Sequence, residues 1–189
     1  MIAGAAKGRR LTAPKGDRTR PTADRVKESW FSSLQDLLPG ARVLDLYAGS
    51  GGLGLEALSR GADRVTFVEN DRRALAALRT NIEAVGMPGT TVLARDVHAV
   101  LVEELTDAPF DLVVADPPYA TPEDELERLL AALVAQLAPD AIVTIERGRR
   151  EPSPPWPLQL GDRDERRYGD TTLHRARIVG ARPLAEEQQ

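Results

Sequence analysis

The sequence predicts an α/β fold: a mostly parallel sheet with helices on both faces, closed by an antiparallel C-terminal hairpin. Three observations carry that prediction. Apolar runs of strand length alternate with segments whose apolar residues recur at helical spacing. Gly61 and Gly86 end two of those helical segments, and Pro39-Gly40 ends another. The rhythm breaks only near the end, where Gly169-Asp170 links two strand-like runs with the length a tight hairpin needs.

Taken in order, an arm rich in Gly, Lys and Arg leads through Arg20-Pro21-Thr22-Ala23-Asp24-Arg25 into a helix from about Asp24 to Leu38. Val26, Trp30, Leu34 and Leu37 give that helix its apolar face. Val43–Tyr47 reads as a strand, followed by a Gly-rich turn and a helix over Leu53–Arg60. Arg64–Glu69 is a strand, Asp71–Val85 a helix, and Thr91–Ala94 a strand, with a short helix near Val97–Leu105. Phe110–Ala115 is an apolar strand, followed by Asp-Pro-Pro-Tyr and a helix from about Pro122 to Leu137. Ala141–Glu146 is another strand, a Pro-rich linker covers Glu151–Pro157, and the hairpin strands fall near Asp164–Tyr168 and Thr172–Val179. Regular βαβ alternation implies parallel strands covered on both faces. The organisation is a basic arm over 1–22, one domain over 23–183, and a frayed tail over 184–189.

Composition removes several function classes. The 189 residues include no cysteine, which excludes disulfides, Cys-ligated zinc, iron–sulfur clusters and a thiol nucleophile. His98 and His174 are too few and too scattered for a dedicated metal site, so no metal is expected. No segment approaches a membrane span or a signal-peptide core, so the expectation is a cytoplasmic monomer. The net charge of −4 hides an asymmetry: residues 1–27 hold eight basic and two acidic residues (+6), while the other 17 basic and 27 acidic residues leave −10. A basic arm carrying Lys7, Arg9, Arg10, Arg20 and Arg25 on an acidic body suits a phosphate backbone, although a merely solubilising tail has the same composition. Arg147, Arg149 and Arg150, with Arg163, Arg166 and Arg167, extend the footprint among acidic neighbours.

Asp45-Leu46-Tyr47-Ala48-Gly49-Ser50-Gly51-Gly52-Leu53-Gly54 lies at the end of the first strand and opens a helix. Glycines allow close approach to a ligand, and the helix N-terminus presents free N–H groups to an anion. In S-adenosylmethionine that anion is the methionine carboxylate, with Asp45 placed for its ammonium. Glu69 ends the second strand, where it can accept ribose hydroxyls. Asp96, past the third strand, can accept the adenine amine, with Val97 against the ring. The cofactor set is therefore Asp45, Ala48, Gly49, Ser50, Gly51, Glu69, Asn70, Asp96 and Val97. The same Gly49-x-Gly51-x-x-Gly54 also fits the dinucleotide fingerprint, with an acid about 20 residues beyond. Against NAD stand the little chain left for a nicotinamide half and the strand-end Asp45. Ala48-x-Ser50-x-Gly52 only approximates a nucleophile elbow, and a glycine turn without a ligand is the bland alternative.

Asp116-Pro117-Pro118-Tyr119 follows the apolar fourth strand, at the same carboxyl edge as the glycine loop. An aromatic amine is a poor nucleophile because its lone pair is delocalised into the ring. Accepting its N–H bonds at a carboxylate and a backbone carbonyl favours a pyramidal nitrogen, and Tyr119 offers a face for stacking the base. Orientation in line with a methyl donor and stabilisation of the charge growing on nitrogen complete the logic. The competing role for Asp116 is a Pro-rich turn capping the next helix. Ser153-Pro154-Pro155-Trp156 matches the pattern formally, but it lies in the Pro-rich linker with no apolar strand immediately before it.

With these residues in place, the chain resembles class I methyltransferases of the amino-nitrogen type. More closely, it is similar to the RsmD family of bacterial small-subunit ribosomal RNA guanine-N2 methyltransferases. The likeness runs through Gly8-Arg9-Arg10-Leu11, Arg20-Pro21-Thr22-x-Asp24-Arg25-Val26-Lys27-Glu28, Ala48-Gly49-Ser50-Gly51-x-Leu53-Gly54-x-Glu56-Ala57-Leu58-Ser59-Arg60 and Asp116-Pro117-Pro118-Tyr119. Arg-Pro-Thr is its most specific element. The resemblance implies a Rossmann-like, seven-stranded class I fold, S-adenosylmethionine as cofactor and a guanine of 16S ribosomal RNA in an assembling small subunit as acceptor. A DNA adenine, a protein glutamine amide and a NAD-binding role are the alternatives.

Overall fold

In the computed structural model, the short apolar runs become strands buried on both faces, as a helix-covered parallel sheet requires. The structure describes residues 1–13, 21–118 and 121–179, the side chains of 21–25 excepted. The expected roles of Arg20 and Tyr119, of the Arg25 side chain and of the 184–189 tail lie outside the described residues. The strands are β1 (Arg42–Leu46), β2 (Arg64–Val68), β3 (Thr90–Leu93), β4 (Phe110–Ala115), β5 (Leu137–Gly148), β6 (Leu160–Tyr168) and β7 (Thr171–Ile178). They form one seven-stranded sheet in the order β3-β2-β1-β4-β5-β7-β6. The first five strands run parallel to one another, while β7 is antiparallel to both β5 and β6. This is the mostly parallel sheet with an antiparallel end that the alternation predicts. Because β1 lies between β2 and β4, the winding reverses there and opens a crevice at the strands' carboxyl ends.

Two cores flank the sheet. Helices α1 (Pro21–Ser33), α2 (Gly52–Ser59) and α3 (Arg72–Val85) bury Trp30, Phe31, Leu55, Leu58 and Leu78 on one face. Helices α4 (Val97–Leu101) and α5 (Glu123–Leu133) bury Val100, Leu101, Leu126, Leu130 and Leu133 on the other. Asp71 caps α3 by accepting from the Arg73 and Ala74 amides, and Gly86 closes it at φ 64°. Helix α1 is fixed across the sheet by polar contacts as well. The Trp30 indole donates to Thr144 Oγ1 at 2.9 Å, and Ser29 and Tyr168 share a hydrogen bond of 2.5 Å.

Several boundaries differ from the pattern-based ones for identifiable reasons. Helix α1 ends at Ser33 and turns follow to Leu37, although the apolar spacing continues. β5 starts at Leu137, and its register with β4 shifts between Phe110 and Leu112. Pro139, which has no amide to donate, and Asp140 at φ 62° occupy that irregularity. β6 begins at Leu160 despite the run Asp162-Arg163-Asp164-Glu165-Arg166-Arg167, because an edge strand needs only one paired side and charge protects the other.

Residues 1–13 pack on the domain instead of extending from it. Glu56 accepts from the amides of Ile2 and Ala3 at 2.8 and 2.9 Å, Ser59 Oγ from that of Ala6 at 2.9 Å, and Asn81 Oδ1 from that of Thr12 at 2.7 Å. Ala6 is buried, while Lys7, Arg9 and Arg10 stay exposed. The acceptors sit on α2 and α3, where sequence periodicity gives no hint of this task. Removing residues 1–12 takes two amide donors from Glu56, which keeps only Arg60 among the described residues, and one from Ser59 Oγ, so stability is expected to fall by about 1–3 kcal/mol per buried group left unpaired. An unchanged melting temperature in the truncated protein would contradict this docking.

Candidate functional site

The carboxyl edge of β1 leads into a tight turn that places three residues in the left-handed region. Tyr47, Gly49 and Gly51 have φ values of 57°, 56° and 82°, in the left-handed region. The turn is held by Glu69 Oε2, which accepts from the Gly49 amide at 2.7 Å, and by the Asn81 amide group, which donates to Ser50 O at 2.9 Å. Ala48 donates to Val68 O at 3.0 Å. Gly54 is needed for close approach: a methyl there would lie 2.4 Å from Phe67 and 2.9 Å from Asp45 Oδ2.

Asp45 is the most constrained acid of the site. It is 1% exposed, and Oδ2 accepts from the Gly54 amide at 2.8 Å. Its other oxygen, Oδ1, is buried and has no hydrogen-bond partner among the described residues. Burial raises its pKa from 3.8 to about 7, and the negative charges of Asp116 and Glu69 add to the rise. The Gly54 hydrogen bond and the ammonium of Lys27 oppose it. An orphaned buried carboxylate oxygen beside a glycine turn fits a cationic donor group, which the ammonium of S-adenosylmethionine supplies.

Glu69 spends much of its capacity on shape, with Oε1 accepting from the Asn70 and Asp71 amides at 2.8 and 2.7 Å. Only Oε2 keeps a lone pair beyond its single bond to Gly49. Asp96 caps α4 through Oδ1, and its Oδ2 lies 3.5 Å from the Asn70 amide nitrogen. Val97 is buried against the α4–α5 core. The structure thus gathers Asp45, Ala48, Gly49, Ser50, Gly51, Glu69 and Asn70 around one turn, with Asp96 joined through Asn70.

Asp116 begins the loop after β4 and is exposed, whereas Pro117 is buried. Its charge is felt at Asp45, so the two carboxylates share one end of the crevice. The Pro118 carbonyl is engaged by the amide and hydroxyl of Thr121 at 3.2 and 2.7 Å. Ser153-Pro154-Pro155-Trp156 forms a turn in which Trp156 donates its amide to Pro154 O at 2.8 Å and packs against the α4–α5 core. The helix-capping alternative for Asp116 has no support, since α5 starts at Glu123 after Pro122.

Two site residues escape sequence reasoning. Lys27, counted with the basic arm, reaches from α1 over the glycine turn; a methyl on Gly52 would meet its Nζ at 2.7 Å. Glu146 ends an apolar run on β5, the same signal that marks Glu69 on β2. Its carboxylate accepts from Thr171 Oγ1 at 3.2 Å, and burial pushes its pKa up against the pull of Lys27. Beyond it on the same edge lies a cavity of about 620 Å³ lined by Gly148, Arg149, Arg150, Glu151 and Asp170.

Residues 1–177 match the family model described as conserved hypothetical protein 95. The chain is 32% identical over 182 residues to the ribosomal RNA small subunit methyltransferase D of Escherichia coli K12, covering 95% of this chain and 84% of that one. Its structure superposes on the YhhF protein of Escherichia coli with a TM-score of 0.83 at 31% identity, over 94% and 96% of the two chains. A more distant likeness, 23% identical with a TM-score of 0.67, is to the 16S rRNA methyltransferase RsmC of Thermus thermophilus, solved with AdoMet and guanosine. That likeness covers 87% of this chain and 45% of that one, and it concerns the fold alone.

Proposed function

The chain belongs to the family of the ribosomal RNA small subunit methyltransferase D proteins, and on that premise we propose that it methylates the exocyclic N2 of a guanine in 16S ribosomal RNA, with S-adenosylmethionine as donor. The coarser activity, methyl transfer to ribosomal RNA, follows the family. The observation that carries the finer reading is the pairing at one sheet edge of Asp45, with its unpartnered buried oxygen, and the Asp116-Pro117-Pro118 turn.

Each residue then has a task. S-adenosylmethionine supplies, when bound, an electrophilic methyl on a sulfonium. Asp45 Oδ1 holds the cofactor's ammonium, the turn at Ala48–Gly51 approaches its amino-acid end, and Glu69 Oε2 accepts from the ribose. Asn70, Asp96 and Val97 border the adenine. Asp116 accepts one N–H of the target amine. The Pro117 carbonyl accepts the other, since that of Pro118 is engaged by Thr121. Together they orient the nitrogen lone pair and stabilise its growing positive charge. Tyr119 stacks on the base. Lys7, Arg9 and Arg10, with Arg20 and Arg25, contact the RNA backbone around an assembling small subunit, to which the protein binds as a monomer.

The test uses the raised pKa of Asp45. Holding an ammonium favours the ionised carboxylate, so below about pH 7 binding must displace a proton. Affinity for S-adenosylmethionine is expected to weaken as pH falls through that value, by up to about tenfold per unit, and to flatten in Asp45→Asn. In the cofactor-free protein the same group binds more protons folded than unfolded between 3.8 and about 7, so its contribution to stability declines as pH rises across that window. Calorimetric titration across this range, with NAD in parallel, checks the assignment. A pH-independent affinity, or NAD binding as tightly, would refute it.

A further inference from the structure

Glu146 joins Asp45 and Asp116 at the carboxyl edge of the sheet. Asp45 lies on β1, Asp116 directly follows β4, and Glu146 lies on β5, with β4 between the other two strands. The register pair Ala115 and Ile145 sets Glu146 beside the first residue of the Asp116 loop. Side chains alternate along a strand, so Glu146 shares the face of Ile142 and of Thr144, which accepts from Trp30 of α1. Asp45 shares that face with Val43, and its Oδ1 is the buried oxygen without a partner. Lys27 acts on both Asp45 and Glu146. Their strands are two places apart, roughly 9–10 Å, which puts the ammonium over the end of β4.

We propose that Glu146 is a specificity-determining residue of this site, accepting the N1–H of the target guanine while Asp116 holds the N2 amine. The inference rests on the guanine-N2 reading given above. N1 and N2 are neighbouring atoms on one edge of guanine, and carboxylates from adjacent strands, about 4.8 Å apart, can take one each. An ionised carboxylate only accepts hydrogen bonds, so it suits guanine, whose N1 is a donor. It meets the N1 lone pair of adenine or 2-aminopurine with an acceptor facing an acceptor. Burial raises the pKa of Glu146; the Thr171 hydrogen bond and the Lys27 ammonium oppose that rise and favour the ionised, guanine-reading form.

The decisive probe is 2-aminopurine, which keeps the reactive N2 amine but lacks the N1 hydrogen. It is placed at the modified position of the RNA in reconstituted small-subunit particles, beside guanine-containing controls. The wild-type protein is expected to prefer guanine in kcat/KM by on the order of 10–100-fold. Glu146→Gln, whose amide can also donate, is expected to bring that ratio to within about threefold, with S-adenosylmethionine affinity retained. A wild-type protein that methylates both bases equally overturns the proposal, even if the variant fails to fold. So does a folded Glu146→Gln protein that keeps the full preference. Failure to methylate guanine particles at all removes the guanine-N2 reading itself, and this inference with it.

Discussion

Asp116→Ala is expected to reduce single-turnover methyl transfer by roughly 10²–10³-fold, the scale seen when one preorganised transition-state contact is removed. Cofactor affinity should stay near wild type or tighten slightly. The Asp116 charge raises the pKa of Asp45, so its removal eases ionisation of the residue that holds the ammonium. An effect confined to turnover is the mark of an interaction that strengthens only as nitrogen becomes positive. Asp116→Asn keeps an acceptor oxygen without the charge, so its activity should fall between the two. Ser153→Ala, in the other proline pair, should leave turnover unchanged because that segment serves Trp156 packing. Single-turnover rates at saturating cofactor test all three variants. A silent Asp116→Ala would move the chemistry elsewhere.

Gly54→Ala should instead weaken cofactor binding. The added methyl meets Phe67 at 2.4 Å, Val65 at 2.7 Å and Asp45 Oδ2 at 2.9 Å, all within the buried core. Phe67 is a ring packed from both sides, so the strain falls on the carboxylate and on the start of α2. Overpacking of this kind costs about 1–3 kcal/mol, and displacing Asp45 also removes the acceptor for the ammonium. A loss of S-adenosylmethionine affinity of at least about tenfold is expected, together with a lower melting temperature. A folded Gly54→Ala protein with unchanged affinity would show that Asp45 does not depend on this contact.

The sheet and its helices were legible because each strand carries a compact apolar run and the helices carry 3.6-residue periodicity. The glycine turn, Glu69 and Asp116 were legible for a related reason: in parallel α/β folds, ligands meet residues at the carboxyl ends of strands. What stayed hidden depends on contacts between distant segments. Glu56 and Ser59 read as helix residues, yet they anchor residues 2–6 across more than 50 positions of sequence. Lys27 reads as one more charge of a basic segment; its place over the crevice follows from the docking of α1 through Trp30 on Thr144 and Ser29 on Tyr168. Glu146 is visible as a strand-end acid, but its neighbour Asp116 comes from the strand order, which places β5 beside β4. Only the second half of β6 is legible, because Leu160-Gly161 is followed by a charged run with Asp162 at φ 43°, where the register with β7 shifts.

The proposed reaction transfers a methyl group to a guanine N2 of small-subunit RNA. It is tested most directly by incubating the protein with methyl-labelled S-adenosylmethionine and small-subunit particles from cells lacking it, then mapping the labelled nucleoside. Label is expected on a single guanine as N2-methylguanosine, and none with Asp116→Ala. Label on adenine, on ribosomal protein, or nowhere in the particle would contradict it.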